Sequence, residues 1–239
     1  MVSFKRQVYG LPFMRWYRLR RARQIANQPR VTREGFSFAS YDMAFSDDWE
    51  RAERAVVAEK LPECGALIDV GANNGFYSLL ANHLGKPALA IEPDAGNLIV
   101  LRQNVSGTAV EVCPCAVSDT KGTVTLYGDG DMASFDTKWQ GVGAHFKQSV
   151  PAETLDGLLE GKWPADRLFI KVDVEGAEAL VLAGASQTLR RSPKPYWLIE
   201  TLPNIPTGGD NAAYAKTLSI MARAGYQAEP VSESCILFH

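Results

Sequence analysis

The sequence predicts an α/β fold: a mostly parallel sheet with helices on its faces and an antiparallel hairpin at its end. Three stretches carry that prediction. Ala66–Val70 is an apolar run broken only by Asp69, followed by Gly71 and then by Phe76, Leu79, Leu80 and Leu84 at helical spacing. That pattern predicts a covered strand, a tight turn and a helix. Ala88–Ile91 is a second apolar strand ending in Glu92-Pro93-Asp94, with Glu92 twenty-one positions after Gly71. An acid at about that separation grips ribose hydroxyls in nucleotide-binding α/β folds. Residues 168–178 predict a further strand, apolar at first and then charged at Lys171, Asp173 and Glu175.

In chain order, residues 1–33 come first. They hold nine of the 25 basic residues (Lys5, Arg6, Arg15, Arg18, Arg20, Arg21, Arg23, Arg30 and Arg33) and no acid. Phe13, Trp16, Tyr17, Leu19, Ala22, Ile25 and Ala26 predict an irregular amphipathic helix after Pro12. Two readings fit it. Its arginines meet anionic lipid while its aromatics enter the interface, a peripheral contact with the inner membrane face. Alternatively the helix packs on the domain, its arginines solvated or paired with acids of the body. Residues 35–46 alternate Phe36, Phe38, Tyr41 and Phe45, which suits core packing or the mouth of a pocket. Asp47 or Asp48 is the expected cap of a helix running to Lys60. The expected division is a basic extension over 1–46 and a main domain over 47–239.

The turn after the first strand reads G-A-N-N-G from Gly71 to Gly75. It is not the G-x-G-x-x-G that brings backbone amides against a pyrophosphate, which argues against a nicotinamide-dependent oxidoreductase. Gly71 lets the chain turn sharply and approach a ligand closely. Asp69 is badly placed for phosphate but well placed for an ammonium group. S-adenosylmethionine carries an ammonium, a carboxylate, a sulfonium and a ribose, and no phosphate, so the turn suits its methionine part. The competing reading is a plain tight connection between strand and helix. Glu92 likewise has a second reading, as an acid favoured at the start of a helix over Ala95–Asn104.

Residues 110–117 predict a third strand ending at Ala116-Val117-Ser118-Asp119, where this fold class borders an adenine ring. Cys113 and Cys115 would share one face of it. Gly122–Tyr127 reads as a hairpin arm. Residues 128–149 are glycine-rich and polar, with Met132, Ala133, Ser134, Phe135, Trp139 and His145, and predict a lid or binding loop. Thr154 is the expected cap of a short helix over 155–159. In the next strand Lys171, Asp173 and Glu175 alternate, so an extended chain points all three one way. Such charges are costly at a buried strand end unless paired or functional. An apolar helix over 177–189 follows, then a strand over 196–199 ending in Glu200-Thr201. A helix from Asp210 or Asn211 through Ala224, closed by Gly225, leads to a hairpin of 226–230 with Cys235–Phe238.

Whole-chain properties bound the function. At 239 residues this is one domain with an appendage. No apolar run approaches the ~20 residues of a membrane span, and the basic N-terminus lacks the apolar stretch of a secretory signal. Four cysteines, Cys64, Cys113, Cys115 and Cys235, have no paired metal-ligand spacing and suit a reducing cytoplasm. Beyond residue 33 the chain is acidic, which argues against nucleic acid as its main substrate. Oligomeric state stays open.

Taken together, I-D-V-G-A-N-N-G-F-Y-S, A-I-E-P-D with Asn97 and Asn104, A-V-S-D, and F-I-K-V-D-V-E-G-A-E with Gly184 resemble the FkbM family of S-adenosylmethionine-dependent methyltransferases. The likeness runs from Leu67 to Glu200. It implies a class I methyltransferase, Rossmann-like, with seven strands of which the last is antiparallel, behind an N-terminal helical extension. It puts Asp69, Gly71, Asn73 and Gly75, with Ala72 between, around the methionine part. It puts Glu92 on the ribose, followed by Pro93, sets Ala116 and Val117 beside the adenine, and brings Asp173 near the transferred methyl. Family members commonly O-methylate hydroxyls of sugars, polyketides and other natural products, which implies a small-molecule or glycan acceptor here.

An alcohol is a poor nucleophile, so a general base helps, typically by ~10²–10⁴-fold. Asp173 is the leading base candidate, Glu175 or Glu200 assists, and Lys171 tunes or pairs with them. His145 is a rival from the loop. A divalent metal on Asp173, Glu175 and Glu200 is an alternative of hard oxygen ligands. A noncatalytic module that only binds the cofactor is the other functional class.

Overall fold

The computed structural model describes residues 12–128, 134, 147–204 and 209–239. In chain order the first elements are α1 (Pro12–Ala26), the strands β1 (Arg30–Val31) and β2 (Ser37–Phe38), and α2 (Arg51–Lys60). Next come β3 (Ala66–Val70), α3 (Phe76–His83), β4 (Ala88–Ile91), α4 (Ala95–Asn104) and β5 (Val110–Cys113). They are followed by β6 (Ala116–Val117), β7 (Gly122–Tyr127), β8 (Lys147–Glu153), α5 (Leu155–Leu158) and β9 (Leu168–Val172). The last are α6 (Glu178–Ala183), β10 (Tyr196–Glu200), α7 (Ala212–Arg223), β11 (Ala228–Pro230) and β12 (Cys235–Phe238).

Among the described residues, seven strands form one sheet in the order β11-β12-β10-β9-β3-β4-β5. β5, β4, β3, β9 and β10 run parallel, and β12 is antiparallel to both β10 and β11. This is the Rossmann-like, mostly parallel sheet with an antiparallel end that the sequence predicts. Alternation along each strand sorts the core. Leu67, Ala90, Phe169 and Leu198 face α2 and α3, where they join Val57, Phe76 and Leu80. Ile68, Val70, Ile91, Ile170, Val172, Trp197 and Ile199 face the other way, onto Val181, Leu182 and Met221 of α6 and α7. Every residue of β3, β4 and β9 is buried, as befits strands covered on both sides.

Several expectations are corrected. The helix α2 is entered from Glu50, held left-handed at φ 44°, rather than capped by Asp47 or Asp48. Residues 110–117 are not one strand: the chain bends at Pro114, and β6 leaves the central sheet to pair with β8 in a small sheet with β7. β8 itself begins at Lys147, inside the stretch expected to be loop. The strand at 168 stops at Val172, because Glu175 and Gly176 take left-handed conformations at φ 53° and 95°. The helix expected over 177–189 ends at Ala183, with Gly184 as its C-cap. There the chain presses on the β6 turn: a Cβ on Gly184 would lie 2.1 Å from the Ser118 carbonyl oxygen. Gly184→Ala is therefore expected to lower stability by about 1–3 kcal/mol, the usual cost of overpacking, read as a lower urea midpoint at unchanged slope.

The first helix packs on the body. Ala22 and Ala26 of α1 meet Ala39 and Val100, and Arg18 pairs with Asp94 at 3.1 Å. Asp94 is itself the N-cap of α4, accepting from Gly96 and Asn97 amides. The outward side of α1 exposes Arg15, Trp16, Tyr17, Arg20, Arg21 and Arg23. Among the described residues no helix is long and apolar enough to cross a membrane.

Candidate cofactor and active site

The parallel strands β3, β4 and β9 end on one edge, and their loops open there. Gly71 and Ala72 amides both donate to the Ile91 carbonyl, the Asp173 amide donates to Val70, and the Glu92 amide donates to Cys113. These bonds lock the four strand ends together. Gly71 is forced, at φ 82°, because a Cβ there would stand 1.8 Å from the Asp173 carbonyl oxygen. Sequence reasoning assigns this glycine to a close ligand approach; the structure gives a second backbone as the close neighbour.

Two adjoining cavities flank this junction. The first has apolar walls from Val70, Ile91, Ala116, Val117 and Leu126 and polar edges from Asn73, Glu92 and Asp173. Pro93, Asn97, Cys115, Val174 and Glu175 also line it. The second lies between the core and the segment before α2. Phe38, Ser40, Trp49, Glu50, Asp69, Asn74, Phe76, Tyr77 and Lys171 line it, with Ala72. Gly71, Asn73 and Asp173 border both. Gly75 borders neither; at φ 87° its missing Cβ makes room for Leu101, which would sit 2.4 Å away. Glu200 is at the end of β10 beside these cavities rather than in their lining. His145 lies outside the described residues.

Glu92 is the polar floor of the first cavity. One carboxylate oxygen accepts from the Asn73 amide at 2.8 Å and the other from the Asp94 amide at 2.7 Å. Burial, reinforced by Asp94, pushes its carboxyl up to about 8. Asn73 takes a left-handed backbone at φ 49° to make this contact. The side-chain oxygens of Asn73 and Asn74 are buried without a hydrogen-bond partner. Two orphaned acceptors at a cavity edge call for a donor-bearing ligand.

The second cavity has a charged wall. Strand alternation puts Asp69, Lys171 and Glu200 on one face of neighbouring strands, with Asp69 in register with Lys171. Lys171 donates to Asp173 at 2.9 Å and lies over the Tyr77 ring at 4.8 Å. Burial opposes its charge, yet Asp173, Glu50, Asp69 and Glu200 together hold it well above the ordinary lysine value. It is an ammonium. Asp69 is engaged from the helix side, accepting from the Ser78 amide and hydroxyl at 3.1 and 2.7 Å. Asp173, followed by burial, pushes Glu200 up to about 8. Burial raises Glu50, which accepts from the Tyr77 hydroxyl at 2.5 Å. Glu175 does not join this wall: its left-handed turn sends it to the first cavity, and its carbonyl accepts from Ser134 at 2.6 Å. Among the described residues no three His, Cys, Asp or Glu side chains are grouped to hold a metal ion.

Some site residues are not foreseen by the sequence reading. Asn104 bridges the Ala39 and Asn74 backbones, at 2.9 and 2.7 Å, and so ties the segment before α2 to the turn at Gly71. Its place in the family pattern is the available signal. Glu50 and Trp49 give none, since no period links them to Lys171.

The raised carboxyls set a pH dependence. Glu92 and Glu200 are pushed from 4.5 to about 8, and burial pushes Glu178 from 4.5 to about 7. Between those values the folded chain binds more protons than the unfolded one. Their stabilising contribution is thus full below 4.5 and is lost as pH rises to about 8. Urea unfolding at pH 5, 6.5 and 8 should show falling stability, and Glu92→Gln should flatten the decline.

The methyltransferase FkbM domain matches residues 69–228. The chain belongs to the FkbM methyltransferase family. Its methyl donor is S-adenosylmethionine. The FkbM match begins at the strand-end Asp69 and covers both charged strand ends, Lys171 to Glu175 and Glu200. Glu50 and Trp49 lie before it. Among solved structures, the chain is similar to the Podospora anserina methyltransferase PaMTH1, solved bound to SAH, at 10% identity, 93% coverage of this chain, 87% of that one and TM-score 0.49. It is also similar to precorrin-6y C5,15-methyltransferase from Geobacter metallireducens, at 15% identity, 84% and 91% coverage and TM-score 0.47. The fold assignment of this FkbM protein rests on its strand order, not on those likenesses. No curated protein matches the chain.

The cavity chemistry fits the FkbM cofactor. The orphaned side-chain oxygen of Asn73 suits an ammonium group, the buried carboxyl of Glu92 suits ribose hydroxyls, and an apolar slot at Ala116 and Val117 suits an adenine ring.

Proposed function

We propose that this chain moves the methyl group of S-adenosylmethionine to a hydroxyl of a sugar, glycolipid or natural-product acceptor, with Asp173 as general base. The observation that carries the reading is the position of Asp173, which borders both cavities. When bound, the cofactor supplies an electrophilic methyl group on its sulfonium. Gly71, Asn73, Glu92, Pro93, Ala116 and Val117 hold it in the first cavity, and Asp69, Ala72 and Gly75 shape the turn that carries Asn73.

The acceptor enters from the second cavity. Phe38, Trp49, Phe76 and Tyr77 line it together with Glu50, Asp69 and Asp173, and among the described residues the one lining cation, Lys171, lies over the Tyr77 ring and is paired with Asp173. That combination suits a neutral ring with an apolar face and several hydroxyls. Asp173 takes the hydroxyl proton, Lys171 fixes the orientation of its carboxylate, and Glu200 is the second proton-holding group beside it, with Glu175 assisting from the cofactor side. Fixing the two reactants in line and excluding water supplies most of the remaining catalysis.

The test is a panel of methyl glycosides, hydroxylated polyketides and amines, incubated with ¹³C-methyl donor. Methoxy products on hydroxyl acceptors are expected. Methylated amines alone would overturn the O-methylation reading.

A further inference from the structure

The sequence places Cys113 and Cys115 on one face of a continuous strand. Instead the chain turns between them, with the Cys115 amide donating to the Cys113 carbonyl at 3.0 Å. That i→i+2 bond closes a γ-turn about Pro114, whose fixed φ suits the inverse form. The turn brings the two sulfurs to 3.4 Å, and both cysteines are free thiols. Cys115 is buried and lines the cofactor cavity beside Ala116 and Val117. Cys113 is half-buried, and its carbonyl also accepts from the amide of Glu92, the floor of that cavity.

We propose that Cys113 and Cys115 are a thiol oxidation site for hydroperoxides, and that closing a disulfide between them weakens cofactor binding. The Cys113 thiolate attacks the terminal oxygen of the peroxide and breaks the O–O bond, giving a sulfenic acid and releasing hydroxide from hydrogen peroxide or alkoxide from an organic hydroperoxide, which is then protonated to water or alcohol. The Cys115 thiol then attacks that sulfur, forming the S–S bond and releasing water. The peroxide is reduced and the two thiols are oxidised. The sulfurs must close from 3.4 Å to about 2.05 Å. That movement pulls on a three-residue turn that bears one wall residue of the cavity and the carbonyl that positions Glu92.

The environment selects this pair. With Cys115 as donor, its hydrogen bond holds the Cys113 thiol below its ordinary value and its own thiol above. A stabilised thiolate beside a resolving thiol is the arrangement of peroxide-reactive cysteines. The other two cysteines are unsuited: burial pushes Cys64 up to about 11 and raises Cys235 further.

The experiment uses the full chain, reduced or treated with stoichiometric hydrogen peroxide, and titrated calorimetrically with S-adenosylhomocysteine. Peptide mass mapping is expected to find the 113–115 segment lighter by two hydrogens and resistant to alkylation. Affinity should fall by about tenfold or more, a change of about 1.4 kcal/mol, and recover with dithiothreitol. Cys113→Ser should bind like the reduced wild type and lose its sensitivity to peroxide. Three results would each overturn the proposal: no 113–115 disulfide, a disulfide with affinity unchanged, or a Cys113→Ser protein that responds to peroxide as the wild type does.

Discussion

Asp173→Asn is expected to lower methyl transfer by about 10²–10⁴-fold, the range of a lost general base, while S-adenosylhomocysteine affinity stays within about twofold. The asparagine keeps the shape of the side chain and its contact with Lys171, so the fold should persist. Lys171 also retains Glu50, Asp69 and Glu200 as counter-charges. A second signature separates a base from a merely structural residue. The charge of Asp173 is the leading cause that pushes Glu200 up to about 8. In the variant the Glu200 carboxyl should titrate lower, which ¹³C NMR of the labelled side chain reads directly. Near-wild-type turnover in Asp173→Asn would remove the base assignment. A wild-type Glu200 titration left unmoved would remove the electrostatic coupling.

Gly71→Ala should be the most damaging single-methyl change. The left-handed backbone at φ 82° costs an alanine about 1–2 kcal/mol. The new Cβ would also lie 1.8 Å from the Asp173 carbonyl, a backbone atom that cannot rotate away. Adding the usual ~1–3 kcal/mol of overpacking gives a loss of about 2–5 kcal/mol, a large part of the ~5–15 kcal/mol that holds a domain folded. Binding of S-adenosylhomocysteine should fail together with stability, because the same shift displaces Asp173 and reshapes both cavities. Gly35→Ala is the control: its φ is 95°, but nothing lies within 4 Å of the place where the added methyl would stand. It should show the conformational cost alone and leave binding intact. Equal effects of the two substitutions on binding would mean that the contact with Asp173 is not what Gly71 provides.

The sequence by itself determined the sheet. The near-continuous apolar runs of β3, β4, β9 and β10 and the acids at their ends were legible because they depend on neighbours along the chain. So were two of the caps, though not that of α2: Thr154 accepts from the Gly157 amide and Asn211 from the Ala213 amide, as short-range side-chain chemistry requires. The breaks were less legible. Pro114, Gly176 and Gly184 could be read as turns, but where the chain went next depended on partners far away. β6 found β8, and Gly184 met Ser118.

The site divides in the same way. Glu92, Asp173 and Lys171 could be named from spacing, since strand ends in a parallel sheet must lie together. That Glu175 turns away from them was decided by a left-handed residue no pattern announces. That Glu50 and Tyr77 close the charged wall was decided by packing: Asn104 anchors Ala39 to the turn at Gly71, and the following segment then runs past Tyr77. Local periodicity records which residues share a strand face. Only the folded chain determines which distant segment covers that face, because contact between remote residues is fixed by the summed burial of the whole core and not by any interval in the sequence.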